Sequence, residues 1–110
     1  MHLYGQGEEE DTLRALAVGD KRIQFKGFAA SPTAAYAQVD AVIMPSRWEA
    51  YALVAIEALS AGRGVLCADI DGLRDHAASG AKVVPLRTAQ DIRDAFGHCS
   101  PNRISDAARL

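Results

Sequence analysis

The sequence has 110 residues, a net charge of −2 at neutral pH and 49% hydrophobic residues, which suits one packed core and is too short for several domains. Its 12 basic residues are scattered among 14 acidic ones, which excludes the concentrated positive footprint of a nucleic-acid binder or of a protein held on an anionic membrane surface. The two cysteines, Cys67 and Cys99, have no CxxC spacing and form no disulfide framework, so a reducing, cytoplasmic setting is expected, and no apolar run approaches the roughly 20 residues of a membrane span.

Residues 2–4 are a short apolar run that predicts a strand, followed by Gly5-Gln6-Gly7. Residues 8–18 predict a helix: acids occupy the first turn, where the helix dipole favours them, Leu13, Leu16 and Ala17 share one face, and Gly19 stops it. A second strand is predicted over residues 22–25, ahead of Gly27-Phe28. Ser31 then caps, and Pro32 opens, a short helix to residue 39. A third strand over residues 41–44 leads into a helix over residues 51–61, ended by Gly62. A strand over residues 64–68, a helix after Gly72, a strand over residues 82–85 and a helix over residues 88–96 with a Thr88 cap complete the pattern, and Ser100-Pro101 starts one further helix.

Strands alternating with helices predict an α/β domain, a doubly wound, Rossmann-like parallel sheet with helices on both faces. There are no repeats, low-complexity tracts or linkers, so residues 1–110 are read as one unit. Because it opens directly on a strand and ends without a polar tail, this unit is expected to be a piece of a longer protein.

In such a sheet ligands bind beyond the carboxyl ends of the strands, where loops meet helix N-termini. The loops that fall there contain Gly5 and Gly7, Gly27-Phe28, residues 46–50, and Asp69-Ile70-Asp71-Gly72. The richest segment is residues 45–59, in which Glu49 and Glu57 bracket an apolar helix start. With Leu53 at zero on a helical wheel, Glu57 falls near ~40°, between Leu53 and Val54, with Ile56 and Leu59 covering the other side. That placement predicts a buried carboxylate, and a carboxylate among apolar neighbours needs a hydrogen-bonding partner or a ligand.

Other chemistry is poorly served. His2, His76 and His98 lack metal-type spacing and read as surface or capping residues. Cys67 reads as a small core residue. Ser46 lacks the surroundings of a nucleophilic serine. Trp48 and Tyr51 read as packing aromatics, and Arg47 and Arg74 as solvated loop charges. Gly5 and Gly7 supply only the start of a dinucleotide fingerprint, since Glu10 stands where its third glycine belongs.

The same segments resemble the retaining glycosyltransferases of the GT-B fold, in particular the family 4 type. The resemblance rests on residues 3–7, on Ile23-Gln24-Phe25-Lys26-Gly27, on Ala35-Tyr36-Ala37-Gln38-Val39-Asp40, and most specifically on Pro45, Ser46, Trp48, Glu49, Tyr51, Ala52, Leu53, Val54, Glu57 and Ala58, an E-x7-E motif. Ala61-Gly62, Val65, Gly72-Leu73 and Asp75 continue it. It implies the C-terminal, donor-binding half of a two-domain transferase. Glu49, Tyr51 and Ala52 would meet the donor sugar, Glu57 the ribose, and the backbone of Gly5, Gly7, Ala52, Leu53 and Val54 the diphosphate. No residue of this half is assigned as catalytic, and no metal or other cofactor is expected.

The implied partners are a nucleoside-diphosphate sugar and a missing N-terminal domain that binds the acceptor; membrane association of the full-length protein is left open. Two departures stand out: Ala52 replaces a usual glycine, raising the prospect of strain at a positive φ, and Gly64 replaces a common proline. Two other readings remain: a non-catalytic nucleotide-binding α/β module, and a metal-dependent GT-A-type transferase using Asp69 and Asp71.

Overall fold

The computed structural model describes residues 1–97. His98, Cys99 and the helix expected from Ser100-Pro101 lie outside the described residues. The chain divides into two compact units, Met1–Ala35 and a second beginning at Tyr36.

The first unit contains β1 (His2–Tyr4), α1 (Glu10–Leu16) and β2 (Gln24–Gly27). The strands pair in parallel, His2 with Gln24 and Leu3 with Phe25, and the register shifts between Leu3 and Tyr4. Beyond the strands, the Gly5 amide donates to the Gly27 carbonyl at 2.8 Å. The second strand begins two residues later than expected, because residues 20–23 form a turn tied by Asp20, whose carboxylate accepts from the Arg22 amide at 3.0 Å.

The expectation for α1 needs correction. The helix spans only seven residues and buries none of them; Leu13 is half exposed and Leu16 is 80% exposed. A two-stranded sheet offers too little apolar surface to cover the stripe, and the helix is held instead by local contacts. Arg14 pairs with Glu10 one turn back at 2.8 Å and stacks 4.5 Å from the Phe25 ring centroid.

Short helix α2 (Pro32–Ala37) carries the chain into the second unit. Its start is the expected one, with the Ser31 hydroxyl accepting from the Ala34 amide at 3.1 Å. The second unit then contains β3 (Ala41–Met44), α3 (Leu53–Ser60), β4 (Gly64–Ala68), a 3₁₀ helix (Arg74–Ser79), β5 (Lys82–Val84) and α4 (Ala89–Gly97). Its three strands form a parallel sheet in the order β3-β4-β5. The helix expected after Gly72 is the 3₁₀ turn, which ends where Gly80 takes φ +103°.

Every residue of the central strand β4 is buried, which explains its unbroken apolar sequence, since both faces of a parallel strand are covered. The core joins Val65, Leu66 and Cys67 to Ala55 and Ala58 of α3 and to Leu73. Alanines on the inner face bring the α3 backbone close to the sheet. Among the described residues, no helix is long and apolar enough to cross a membrane.

Candidate functional site

Helix α3 sets the site by which of its faces it buries. Ala52, Ala55 and Ala58 are buried and Ile56 and Leu59 half-buried, while Leu53, Val54 and Glu57 are exposed. Leu53 is 62% and Val54 44% exposed. The wheel positions of Glu57, Leu53 and Val54 relative to each other were correctly anticipated; the direction of the core was not. Glu57 is therefore no buried carboxylate, because the small alanines pack on the sheet and turn the branched side chains outward.

Glu57 is nonetheless held. The Tyr36 hydroxyl donates to its Oε2 at 2.9 Å. Burial of Tyr36, together with that bond and the adjacent carboxylate charge, pushes the phenol up to about 12. Tyr36 therefore stays a neutral donor across the physiological range. Glu57 Oε1 has no protein partner among the described residues, so an oriented carboxylate oxygen stands beside the exposed Leu53 and Val54.

Before α3 lies the loop with Glu49. The Ser46 hydroxyl donates to Glu49 Oε1 at 3.2 Å, and Glu49 is half-buried. The loop's path is fixed by Gly72, which has φ +78°: a Cβ there would lie 2.8 Å from the Ala50 carbonyl oxygen and closer still to that of Glu49. Only glycine permits both the backbone conformation and the approach. Thus the glycine of the Asp69-Ile70-Asp71-Gly72 loop positions the acid of its neighbour.

Ala52 is the N-cap of α3, with φ −86° and ψ 96°, an extended conformation any residue adopts. The strain anticipated from a positive φ is absent. Ala52 is 4% exposed and its methyl belongs to the core, so this residue offers backbone rather than side chain to a ligand. No side chain caps the helix. The Ala55 amide donates to the Ala52 carbonyl at 3.2 Å, which leaves the Leu53 and Val54 amides for a bound acceptor group, where the helix dipole favours negative charge.

Trp48, 79% exposed, corrects the packing assignment, whereas Tyr51, 56% exposed, keeps part of it. Tyr51 packs its ring 5.1 Å from that of His76 at an interplanar angle of 50°. His76 is 2% exposed and its Nε2 has no hydrogen-bond partner, so it is a core residue rather than a surface or capping one. Cys67 is fully buried as expected, and burial pushes its thiol up.

Asp69 and Asp71 are both engaged by Arg74, Nε to Asp69 Oδ1 and Nη1 to Asp71 Oδ1. Arg74 is thus no free solvated charge. Among the described residues, no group of three or more histidine, cysteine or acidic side chains is gathered as for a metal ion.

A cleft of about 940 Å³ opens at the carboxyl ends of β3, β4 and β5. Its walls come from Pro45, Ser46 and Arg47 after β3, from Ala68, Asp69 and Ile70 at the end of β4, and from residues 85–89 with Ile92 after β5. The loop after β5 was not singled out from sequence. Its signal was the Thr88 cap: Asp91 accepts from the amides of Thr88 and Arg87, each at 2.9 Å, while the Thr88 hydroxyl accepts from the Asp91 amide at 3.1 Å. Those amides hold the Asp91 carboxyl below its usual range.

Gly5 and Gly7 lie in the first unit. Gly5 has φ +105° at the end of β1, and neither glycine has any atom within 4 Å of an added Cβ. Their surroundings are open, and turn geometry accounts for Gly5.

A model of the family described as Glycosyl transferases group 1 matches residues 1–100. A comparison with curated proteins returns no significant match. Among solved structures, TarM covers 97% of this chain at 23% identity with a TM-score of 0.81, and the chain covers 22% of it. WaaG, a glycosyltransferase involved in lipopolysaccharide biosynthesis, covers 98% at 22% identity with a TM-score of 0.73, the chain covering 32% of it. The pneumococcal O-GlcNAc transferase GtfA, solved in complex with UDP and GlcNAc, covers 97% at 22% identity with a TM-score of 0.66, the chain covering 20% of it. The chain therefore spans less than a third of the length of each of these structures.

Proposed function

The chain belongs to the group 1 glycosyl transferases, and from that premise we propose that it is the donor-binding part of a longer, retaining transferase that takes its sugar from a nucleoside diphosphate. The observation that carries the reading is the exposed face of α3, where Tyr36 orients Glu57 beside Leu53 and Val54. A carboxylate oxygen held in place and open to solvent suits the paired hydroxyls of a ribose, with apolar surface beside it for the rest of the nucleoside. Glu49, steadied by Ser46, takes a hydroxyl of the sugar. The uncapped first turn of α3 takes the diphosphate on the amides of Leu53 and Val54, and the dipole stabilises charge that grows as the sugar leaves. The Gly5 amide already donates to the Gly27 carbonyl, so Gly5 is left out of this diphosphate site. The solved complex of GtfA with UDP and GlcNAc agrees with such a donor.

The rest of the protein supplies the acceptor side. A cytoplasmic setting is part of this reading. Asp69 and Asp71, already paired with Arg74, are assigned to loop structure, and the reading routes no step through a metal.

Activity assays with a panel of nucleotide sugars test the proposal. The 110-residue chain alone forms no product, because donor and acceptor are aligned only when both parts are present. The protein extended on its N-terminal side forms donor-dependent product with retained anomeric configuration. Turnover by the chain alone, or an inverted product from the extended protein, contradicts the reading.

A further inference from the structure

His76 is a buried polar side chain that neither the core nor the donor contacts explain. It is 2% exposed, and its Nε2 has no hydrogen-bond partner. An apolar residue of similar size would fill the same space without an unpaired polar atom, so packing alone disfavours histidine here.

The backbone of His76 is anchored at both ends. Its amide donates to the Leu73 carbonyl at 3.1 Å, its carbonyl accepts from the Ala81 amide at 3.1 Å, and Leu73 is itself fully buried. The imidazole therefore sits on a part of the chain that cannot shift without disturbing the core. Tyr51, the ring it meets, is not so constrained. It is 56% exposed and lies in the loop ahead of α3. Among the described residues the Tyr51 side chain is held by the His76 ring alone, centroid to centroid at 5.1 Å and tilted by 50°, a separation at which aromatic rings attract beyond their burial.

Tyr51 stands two residues after Glu49, the acid assigned to the donor sugar. The segment between β4 and β5 supports this stretch twice, with Gly72 against the Glu49 and Ala50 carbonyls and His76 against the Tyr51 ring. The first contact sets the backbone of the loop and the second sets its aromatic side chain. We propose that His76 is a positioning residue that fixes the Tyr51 ring as one wall of the sugar site, so that it controls how tightly the sugar, rather than the nucleotide, is held. A phenol ring offers flat apolar surface to the C–H face of a pyranose and a hydroxyl to its rim. The sugar role rests on the donor reading above, whereas the hold of His76 on Tyr51 does not.

Calorimetric titration of the chain with UDP, UDP-glucose and UDP-N-acetylglucosamine separates sugar from nucleotide. The parent binds at least one of the two conjugates more tightly than UDP. His76→Leu keeps the thermal midpoint at or above the parent's, because the unpaired atom is gone. It binds UDP as before, but its affinity for that conjugate falls by about fivefold. His76→Phe, which restores a ring, stays within about twofold of the parent. In a Tyr51→Leu background His76→Leu costs nothing further, as expected of a residue that acts through Tyr51. Conjugate affinity unchanged in His76→Leu, a loss that persists in the Tyr51→Leu background, or UDP affinity that falls by the same factor overturns the positioning role. No gain from either sugar in the parent overturns it too. Aromatic NMR of the labelled chain reads the contact without altering the core: Tyr51→Leu moves the His76 ring signals, and unmoved signals overturn the contact even if His76→Leu fails to fold. UDP failing to bind, with those signals moved, overturns the donor reading and with it the sugar role, and leaves His76 holding Tyr51.

Discussion

The Tyr36 hydroxyl donates a 2.9 Å hydrogen bond to Glu57 Oε2, joining the end of one helix to the exposed face of another across 21 residues of sequence. The bond converts a surface glutamate, which would otherwise sample many rotamers, into a directed acceptor. Tyr36→Phe keeps the ring and removes the donor. Its expected cost in stability is about 1 kcal/mol, the net worth of one such bond. UDP affinity should fall by about fivefold, less than for Glu57→Ala, which removes the contact itself. A calorimetric comparison of the two variants checks the order, and a Tyr36→Phe protein that binds UDP as tightly as the parent would show that the bond positions nothing.

The same pair sets an alkaline limit. The Tyr36 phenol is raised from 10.0 to about 12 in the folded protein, so the folded state favours its neutral form. This contribution to stability is complete below about pH 10 and is lost as pH rises toward 12. Denaturant unfolding at a series of alkaline pH values should show a steeper loss of stability over that window in the parent than in Tyr36→Phe. Identical profiles would remove Tyr36 as the titrating group.

Gly72 supports Glu49 through space rather than by bonding. Gly72→Ala imposes a methyl where the Glu49 and Ala50 carbonyls stand, on a backbone at φ +78°. The expected loss is about 2–4 kcal/mol, from left-handed strain and overpacking together. Amide shifts should spread through residues 46–51. Urea unfolding that matches the parent within experimental error would contradict this packing.

Ala52 permits a sharper test of an expectation that the structure reverses. Since its φ is −86° and its methyl is buried, Ala52→Gly removes core contact and adds freedom to the unfolded chain. Stability should drop by about 1–2 kcal/mol, with no gain in UDP affinity. Tighter binding by the glycine variant would mean that the methyl does obstruct the ligand.

Sequence periodicity located the elements well where a strand is interior or a helix is capped. The ranges of β3 and β4 agree with those read from their apolar runs, and the Ser31 and Thr88 caps form the expected bonds. It failed where burial depends on size rather than polarity. In α3 the alanines face the sheet and Leu53 and Val54 face outward, a choice that hydrophobicity alone ranks the wrong way round. The partners of the site residues were also hidden. Tyr36 lies within the helix expected from the Ser31 cap, and nothing in its neighbours announces a bond to Glu57. Gly72 was recognisable as a turn glycine, but the collision that makes it indispensable involves a loop more than 20 positions away.

The central claim is that the exposed face of α3 receives a nucleoside diphosphate, and amide NMR of the labelled chain during a UDP titration tests it most directly. The account predicts weak, saturable binding with shifts concentrated at Leu53, Val54 and Glu57, reduced about tenfold or more in affinity by Glu57→Ala, the loss expected for a hydrogen bond to a charged group at about 1.5–3 kcal/mol, and less by Glu49→Ala. Saturable binding whose shifts lie away from α3, or affinity that Glu57→Ala leaves unchanged, would contradict it.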